Sequence, residues 1–307
     1  MSIEKLPTVL ITGCTDGSIG HGLVLSFVRQ GYHVFATARR LSAMTSLTTI
    51  PNITLLELDV TSPESIRKAH SAVSAATSGK LDILYNNAGV RYVAMGIDST
   101  YKIATDTMAT NFCAVVEMVH VFSCQMKVTC SGQCNGGTEH FQFGSSSGVP
   151  NLTPYSSNGK IVFTSSGAGK LPVPTQAIYN ASKAALDLYA QTLRIEMQPL
   201  GVGVINVITG SIATAKGIEP MGPLDADSPY RSIEKDLNRF WKSERPLMDL
   251  TTYSDAVVKK VTGKNPPELI WLNSDFVWWV YFLKLTWLLP ILMAKEFGLK
   301  NLKRGKA

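Results

Sequence analysis

Thr8-Val9-Leu10-Ile11-Thr12-Gly13-Cys14-Thr15-Asp16-Gly17-Ser18-Ile19-Gly20 is the stretch that decides the fold. The run Thr8–Thr12 reads as a short buried strand and residues 23–29 as an amphipathic helix. Glycines fill the turn between them. A pyrophosphate seated on backbone N–H groups at a helix N-terminus needs such a turn, because a Cβ at the points of closest approach would hold it off. Ile11, Thr12, Gly13 and Gly20 are the candidate contacts, with Gly17 or Ser18 in the middle role. A Gly-rich loop that merely caps a helix is the plain alternative. Its place directly after the first strand favours the phosphate reading. Gly31 then stops the helix, and residues 32–38 read as a second strand that completes a βαβ opening.

Outward from that unit, apolar runs at 53–58, 81–85, 160–164 and 202–207 alternate with helical patterns at 63–76, 111–123 and 183–196. Strands alternating with helices imply a parallel sheet covered on both faces. With right-handed crossovers this is an α/β, Rossmann-type doubly wound sheet, its ligand site at the C-terminal ends of the strands. The 307 residues suit one such domain, drawn here at 1–265, plus a hydrophobic C-terminal extension at 266–307.

The second strand ends Ala36-Thr37-Ala38-Arg39-Arg40. NAD sites place an acid here for the ribose 2′-OH, and that carboxylate would repel a 2′-phosphate. The acid is missing and two arginines follow, which points to NADP(H), with Thr37 and Arg39 as contacts. Two solvated arginines after a strand are the bland alternative.

Asn86-Asn87-Ala88-Gly89 follows the fourth strand, Asn111 lies on the next helix, and Thr164-Ser165-Ser166 ends the fifth strand. Tyr179-Asn180-Ala181-Ser182-Lys183 opens the helix after it, so Tyr179 and Lys183 share a helix face. Carbonyl reduction leaves an alkoxide that needs a proton. A free tyrosine, with a pKa of about 10, is too weak an acid to supply it readily. A neighbouring ammonium, from Lys183, and the positive nicotinamide of an oxidised cofactor lower that value. Ser166 is the donor to the substrate oxygen, with Ser165 as the fallback. Asn111 is read as holding a water that relays protons to Lys183. A lone Tyr-x-x-x-Lys is an ordinary surface pair; the combination in this order, each part at a strand end or helix start, is not.

Those motifs, over residues 7 to about 215, resemble the short-chain dehydrogenase/reductase family. The turn has one residue more than the family's Thr-Gly-x-x-x-Gly-x-Gly. The resemblance implies a hydride-transferring oxidoreductase with Ser166, Tyr179, Lys183 and Asn111 catalytic. It also implies cofactor contacts at Asn87, at Asp59 (the adenine edge), at Ile212 (the nicotinamide amide) and at Thr214 (the phosphates). Thr209 stands where the family has proline. Within the family, the turn, the Arg39-Arg40 strand end and the apolar tail resemble fungal NADPH-dependent 1-acyldihydroxyacetone-phosphate reductases. That likeness implies a lipid ketone. Related fungal reductases of secondary metabolism remain the alternative, and a dinucleotide-binding membrane scaffold is the non-enzymatic one, which the intact Ser166, Tyr179 and Lys183 oppose.

The substrate loop, about 216–245, carries Lys216, Arg231, Lys235, Arg239, Lys242 and Arg245, which either bind an acidic substrate or solvate a helix. Residues 276–293 carry one charge, Lys284, and Trp278, Trp279 and Trp287 suit a bilayer interface. With a net charge of +6 and a basic end, this tail is expected at a membrane surface, lying in the interface, forming a hairpin or spanning. A hydrophobic lid or subunit-contact helix is the alternative. The endoplasmic reticulum membrane or lipid droplets are the expected location, with the cytosol as the other. No nucleic-acid motif and no metal-ligand pattern is found, and the scattered cysteines (14, 113, 124, 130, 134) read as reduced intracellular thiols. A homodimer is a further expectation. Residues 124–159 turn Gly-, Ser- and Asn-rich, which reads as a disordered surface insertion or a retained intron.

Overall fold

The computed structural model describes residues 6–126, 159–217, 221–224, 226–242, 246–274 and 289–299. Strand β1 (Thr8–Thr12) lies mid-sheet between β2 (His33–Ala38) and β4 (Ile83–Asn86), and all three are buried from end to end. Outside them are β3 (Ile53–Glu57) on one side and β5 (Lys160–Ser166), β6 (Gly203–Thr209) and β7 (Leu269–Leu272) on the other. All neighbours run parallel, in the order β3-β2-β1-β4-β5-β6-β7. The chain reverses its direction of travel between β1 and β4, which opens a crevice at their C-terminal ends.

Burial on both faces explains why these strands read as apolar runs rather than as alternation. On one face α1 (Ile19–Arg29) and α7 (Leu250–Val261) pack Leu23, Val24, Phe27, Tyr253 and Val257 against Val9, Ile11 and Tyr85. On the other, α2 (Pro63–Thr77), α4 (Ala114–Phe122) and α5 (Ala177–Met197) pack Ile66, Met118, Phe122 and Leu186 against Leu10, Leu84 and Phe163.

The doubly wound sheet is therefore as the sequence implied, with differences at its edges. Strands β5 and β6 each run two residues further than read, to Ser166 and Thr209. Helix α5 starts at Ala177, before its apolar pattern begins; in its first turn Tyr179 lines the site and Asn180 donates to Val173 O. Strand β7 lies past residue 265, so the sheet extends into what was assigned to the tail. It is four residues long, at the sheet edge, behind Pro266-Pro267, and too short to show a pattern.

A smaller apolar cluster stands above the strand ends. Helix α6 (Glu234–Lys242) supplies Leu237 and Trp241, which meet Met95, Met221, Leu224 and Phe297. Phe297 follows α8 (Leu289–Glu296), so the C-terminal segment docks onto α6. Gly298, at φ +68°, fits there because a Cβ would lie 2.5 Å from Asp236 Cβ. The irregular 124–159 stretch falls almost wholly outside the described residues, as does most of the apolar run at 276–293. Among the described residues no helix is long and apolar enough to cross a membrane.

Candidate active site

The crevice forms one cavity of about 670 Å³. Of the residues singled out from sequence, Gly13, Gly17, Ser18, Arg39, Asp59, Asn87, Ser165, Ser166, Tyr179, Lys183 and Thr214 line it. Ile11, Thr12, Gly20, Thr37, Asn111 and Ile212 do not line it, and the reason is burial: their side chains or backbone brace the wall from behind.

At the dinucleotide end, Gly13 (φ +75°) and Gly17 (φ +72°) take backbone conformations that favour glycine. A Cβ on Gly20 would stand 2.3 Å from the Gly13 carbonyl oxygen, so the helix start can press against the turn only as glycine. Ser18 caps α1, its Oγ accepting from His21 N–H and donating to Gly13 O. The first amides of α1 thus face the turn with no carbonyl four residues back in the helix to take them. The loop after β6 closes the other side, where Ala215 N–H donates to Gly17 O at 3.0 Å. Thr37 is spent on structure, its hydroxyl donating to Ile11 O at 3.0 Å. Arg39 is exposed at the end of β2. Thr61 hydrogen bonds and the Arg39 charge hold Asp59 below the usual carboxylate range against the opposing effect of partial burial.

Asn87 ties three strand ends together. Its Nδ2 donates to Thr12 O at 2.9 Å, its Oδ1 accepts from Thr164 Oγ at 3.0 Å, and its N–H donates to Thr12 Oγ at 2.9 Å. Thr209, in place of proline, shares a 2.7 Å hydrogen bond with the buried Tyr253 hydroxyl.

At the reactive end, Ser166 closes β5, and Tyr179 and Lys183 sit one turn apart at the start of α5. Ser166 and Tyr179 line the same end of the cavity, and the Ser166 Oγ accepts from Ala168 N–H at 3.1 Å; the fallback Ser165 lines it too, with a buried Oγ that has no hydrogen-bond partner. Lys183 is buried, with Nζ donating to Thr164 O at 2.9 Å and lying 5.9 Å from the Tyr179 ring centre. Burial brings the ammonium down to about 8.

One expectation is corrected. Tyr179 was read as acidified by Lys183. Here burial dominates and raises its pKa, opposed by Ser166 and by the charge of Arg91. The Asn111 side chain is bonded within the protein: its Nδ2 donates to Val90 O and to Ser182 Oγ, both at 2.9 Å, while its Oδ1 accepts from Val90 N–H at 2.8 Å. It sits in a single π turn, Ala109–Cys113, between α3 (Tyr101–Met108) and α4. Such a turn aims one side chain out of helical register. Asn111 therefore braces the Gly89–Val90 loop. A Cβ on Gly89 would lie 3.3 Å from Asn111 Oδ1 and 3.7 Å from Lys183 Nζ.

Sequence reading missed Arg91, which lines the cavity beside Tyr179. The signal was present: a basic residue two positions after the Asn-Asn-Ala-Gly turn. Of the cations in the substrate loop, Lys216 lines the cavity. Arg231 pairs with Glu234 and Arg239 with Asp236.

A parallel open sheet with a glycine turn at one end of its crevice and a Ser, Tyr and Lys cluster at the other defines a dinucleotide-dependent oxidoreductase. Residues 7–136 and 143–219 match the family model described as short chain dehydrogenase, and the chain belongs to that family. It is 33% identical over 270 residues to the NADPH-dependent 1-acyldihydroxyacetone phosphate reductase of Schizosaccharomyces pombe, covering 86% of this chain and 81% of that protein. It is 31% identical to the short-chain dehydrogenase ptmH of Penicillium ochrochloron, covering 95% and 98%. A solved short-chain dehydrogenase from Streptomyces avermitilis shares the fold, with a TM-score of 0.71 at 20% identity over 96% of this chain and 98% of that one.

Proposed function

We propose that this chain is an NADPH-dependent reductase that converts a ketone to a secondary alcohol. The observation that carries the reading is that Ser166, Tyr179 and Lys183 line one cavity together with the glycine turn and Arg39, with Lys183 one helical turn behind Tyr179. The residues present fit the dinucleotide. The turn between β1 and α1 takes the pyrophosphate, since a Cβ would fill the cradle at Gly20. Arg39 takes the 2′-phosphate. When bound, NADPH supplies the hydride.

The chain's own residues do the rest. Ser166 donates to the carbonyl oxygen and fixes its position. Tyr179, kept protonated by burial, gives its proton to the developing alkoxide. Lys183, near 8, returns a proton to the phenolate side of the site and supplies positive charge there. Asn111 holds the Gly89–Val90 wall against which the substrate rests.

The S. pombe relative is named for an acylated ketone phosphate. That name supports a lipid-like ketone as the substrate class here, and the aromatic stretch at 276–287 supports work at a membrane surface, in the endoplasmic reticulum or on lipid droplets. Leu188 and Ile195, strongly exposed on α5, support pairing with a second copy. The test is Tyr179→Phe. Loss of the proton donor lowers kcat by about 10²–10⁴-fold while NADPH affinity, read by fluorescence, is unchanged. Near wild-type turnover by Tyr179→Phe on a ketone panel rules the reading out.

A further inference from the structure

We propose that Arg91 is the anion receptor of the substrate site: its guanidinium, stacked on Trp241 in the cavity that holds Tyr179, binds a carboxylate or phosphate carried by the ketone. This rests on the reductase reading above and adds the substrate class.

The placement is built, not incidental. The Arg91 Cζ lies 5.4 Å from the Trp241 ring centre, a cation–π distance. Trp241 is itself fixed: its Nε1 donates to Thr175 Oγ at 3.0 Å, and its ring meets Phe297 edge-on at 6.3 Å. Thr175 sits at φ +66°. A β-branched residue holds that backbone only where its surroundings dictate it, and such strain gathers at functional sites. Thr175 O also accepts from Ala94 N–H at 2.8 Å, which ties the Arg91 loop to the same platform.

The Arg91 fork is unclaimed. It is half-buried, yet among the described residues it makes no hydrogen bond and no ion pair. A guanidinium carries five N–H donors. The carboxylates that share its cavity are engaged elsewhere. Asp106 pairs with Lys102 at 2.8 Å, Asp16 accepts from Thr45 and Ser46, and Asp59 accepts from Thr61. The dinucleotide phosphates belong to the glycine turn and to Arg39 at the other end. Arg91 sits with Tyr179 and the α6 cluster, so the anion it takes arrives with the substrate.

The test uses purified wild type, Arg91→Gln and Arg91→Lys with NADPH and two matched ketone pairs: levulinate with methyl levulinate, and dihydroxyacetone phosphate with dihydroxyacetone. The wild type favours the charged member of at least one pair, and the pair that shows the preference separates carboxylate from phosphate. Arg91→Gln lowers the ratio of charged to neutral ketone by about ten- to a hundredfold, carried in KM, while loss of the charge beside Tyr179 acts on kcat equally for both members and leaves that ratio unchanged. Arg91→Lys restores part of it, since a point charge replaces a planar fork. In the wild type alone, inorganic phosphate or acetate competes with the neutral ketone. Equal losses on charged and neutral ketones in Arg91→Gln overturn the proposal, because they mark a structural prop or a tuner of Tyr179. A wild type that prefers the neutral member of both pairs also overturns it and leaves the reductase reading standing. NADPH binding with no reduction of any of the four ketones overturns both.

Discussion

Lys183→Met is expected to stabilise the free protein near neutral pH. Lys183 is 4% exposed, and burial lowers its pKa from 10.5 to about 8. In the unfolded chain the same lysine keeps its proton up to its ordinary value. Between about 8 and 10.5 the unfolded state therefore binds more protons than the folded one, and stability rises with pH across that window. Below it, the full cost of burying the ammonium is present. Each pKa unit is worth about 1.36 kcal/mol, so the shift corresponds to roughly 3 kcal/mol. The figure is an upper bound for the gain on substitution, since the 2.9 Å bond to Thr164 O is lost as well. Urea titrations of wild type and Lys183→Met from neutral pH to the lysine range give the assay, and their difference cancels every other titrating group. That difference should favour the variant at neutral pH and shift toward the wild type by up to about 3 kcal/mol as pH climbs. Parallel stability curves would show that burial does not strain this lysine.

Arg39→Asp should weaken NADPH by at least about tenfold relative to NADH, as kcat/KM with each cofactor reads out; an unchanged ratio moves the 2′-phosphate elsewhere. Asn111→Ala strands the Val90 N–H and carbonyl and the Ser182 hydroxyl, and should cost at least about 2 kcal/mol in urea denaturation. A cost near zero would mean that water replaces the brace. Ketone reduction should fall as pH rises through about 8, where Lys183 loses its proton, and Lys183→Arg should move that limb upward. Replacing Trp278 and Trp279 by serine should lower co-sedimentation with phosphatidylcholine–phosphatidylserine vesicles, and equal sedimentation would assign the tail to another role. These substitutions are a better probe than truncation after Pro267, which would remove β7 and Phe297 from the fold.

What the sequence made legible was local. The strand Thr8–Thr12, its glycine turn and α1 are neighbours in the chain, and the Tyr179–Lys183 spacing is a property of one helix. The sheet followed because buried parallel strands leave apolar runs. The α6 cluster was illegible for the opposite reason: Met95, Met221, Trp241 and Phe297 come from four distant places, and none sits in a pattern that names its partners. The state of Tyr179 was misread in the same way. A helical spacing shows that Lys183 is close, but not that it is buried beside a half-buried Tyr179 or that it spends a proton on Thr164. Asn111 was legible as a site residue, but its three side-chain bonds were not, since they depend on a π turn that no residue pattern announces.

The electrostatics of the cavity run in one direction. Burial raises the pKa of Tyr179 and so favours the protonated phenol, the form that gives a proton to an alkoxide. Ser166 and the charge of Arg91 act against burial and favour the phenolate that forms once the proton has gone. Arg91 would lose that leverage if a carboxylate of the protein neutralised it, and among the described residues none does. An anion on the substrate would reduce the same leverage, but it arrives already holding the ketone over Tyr179. The site therefore exchanges some acid strength for position, and orienting a reactant is worth more than a modest pKa change. On that balance the proposed reduction of an acidic ketone uses Tyr179 in the protonated form that burial favours.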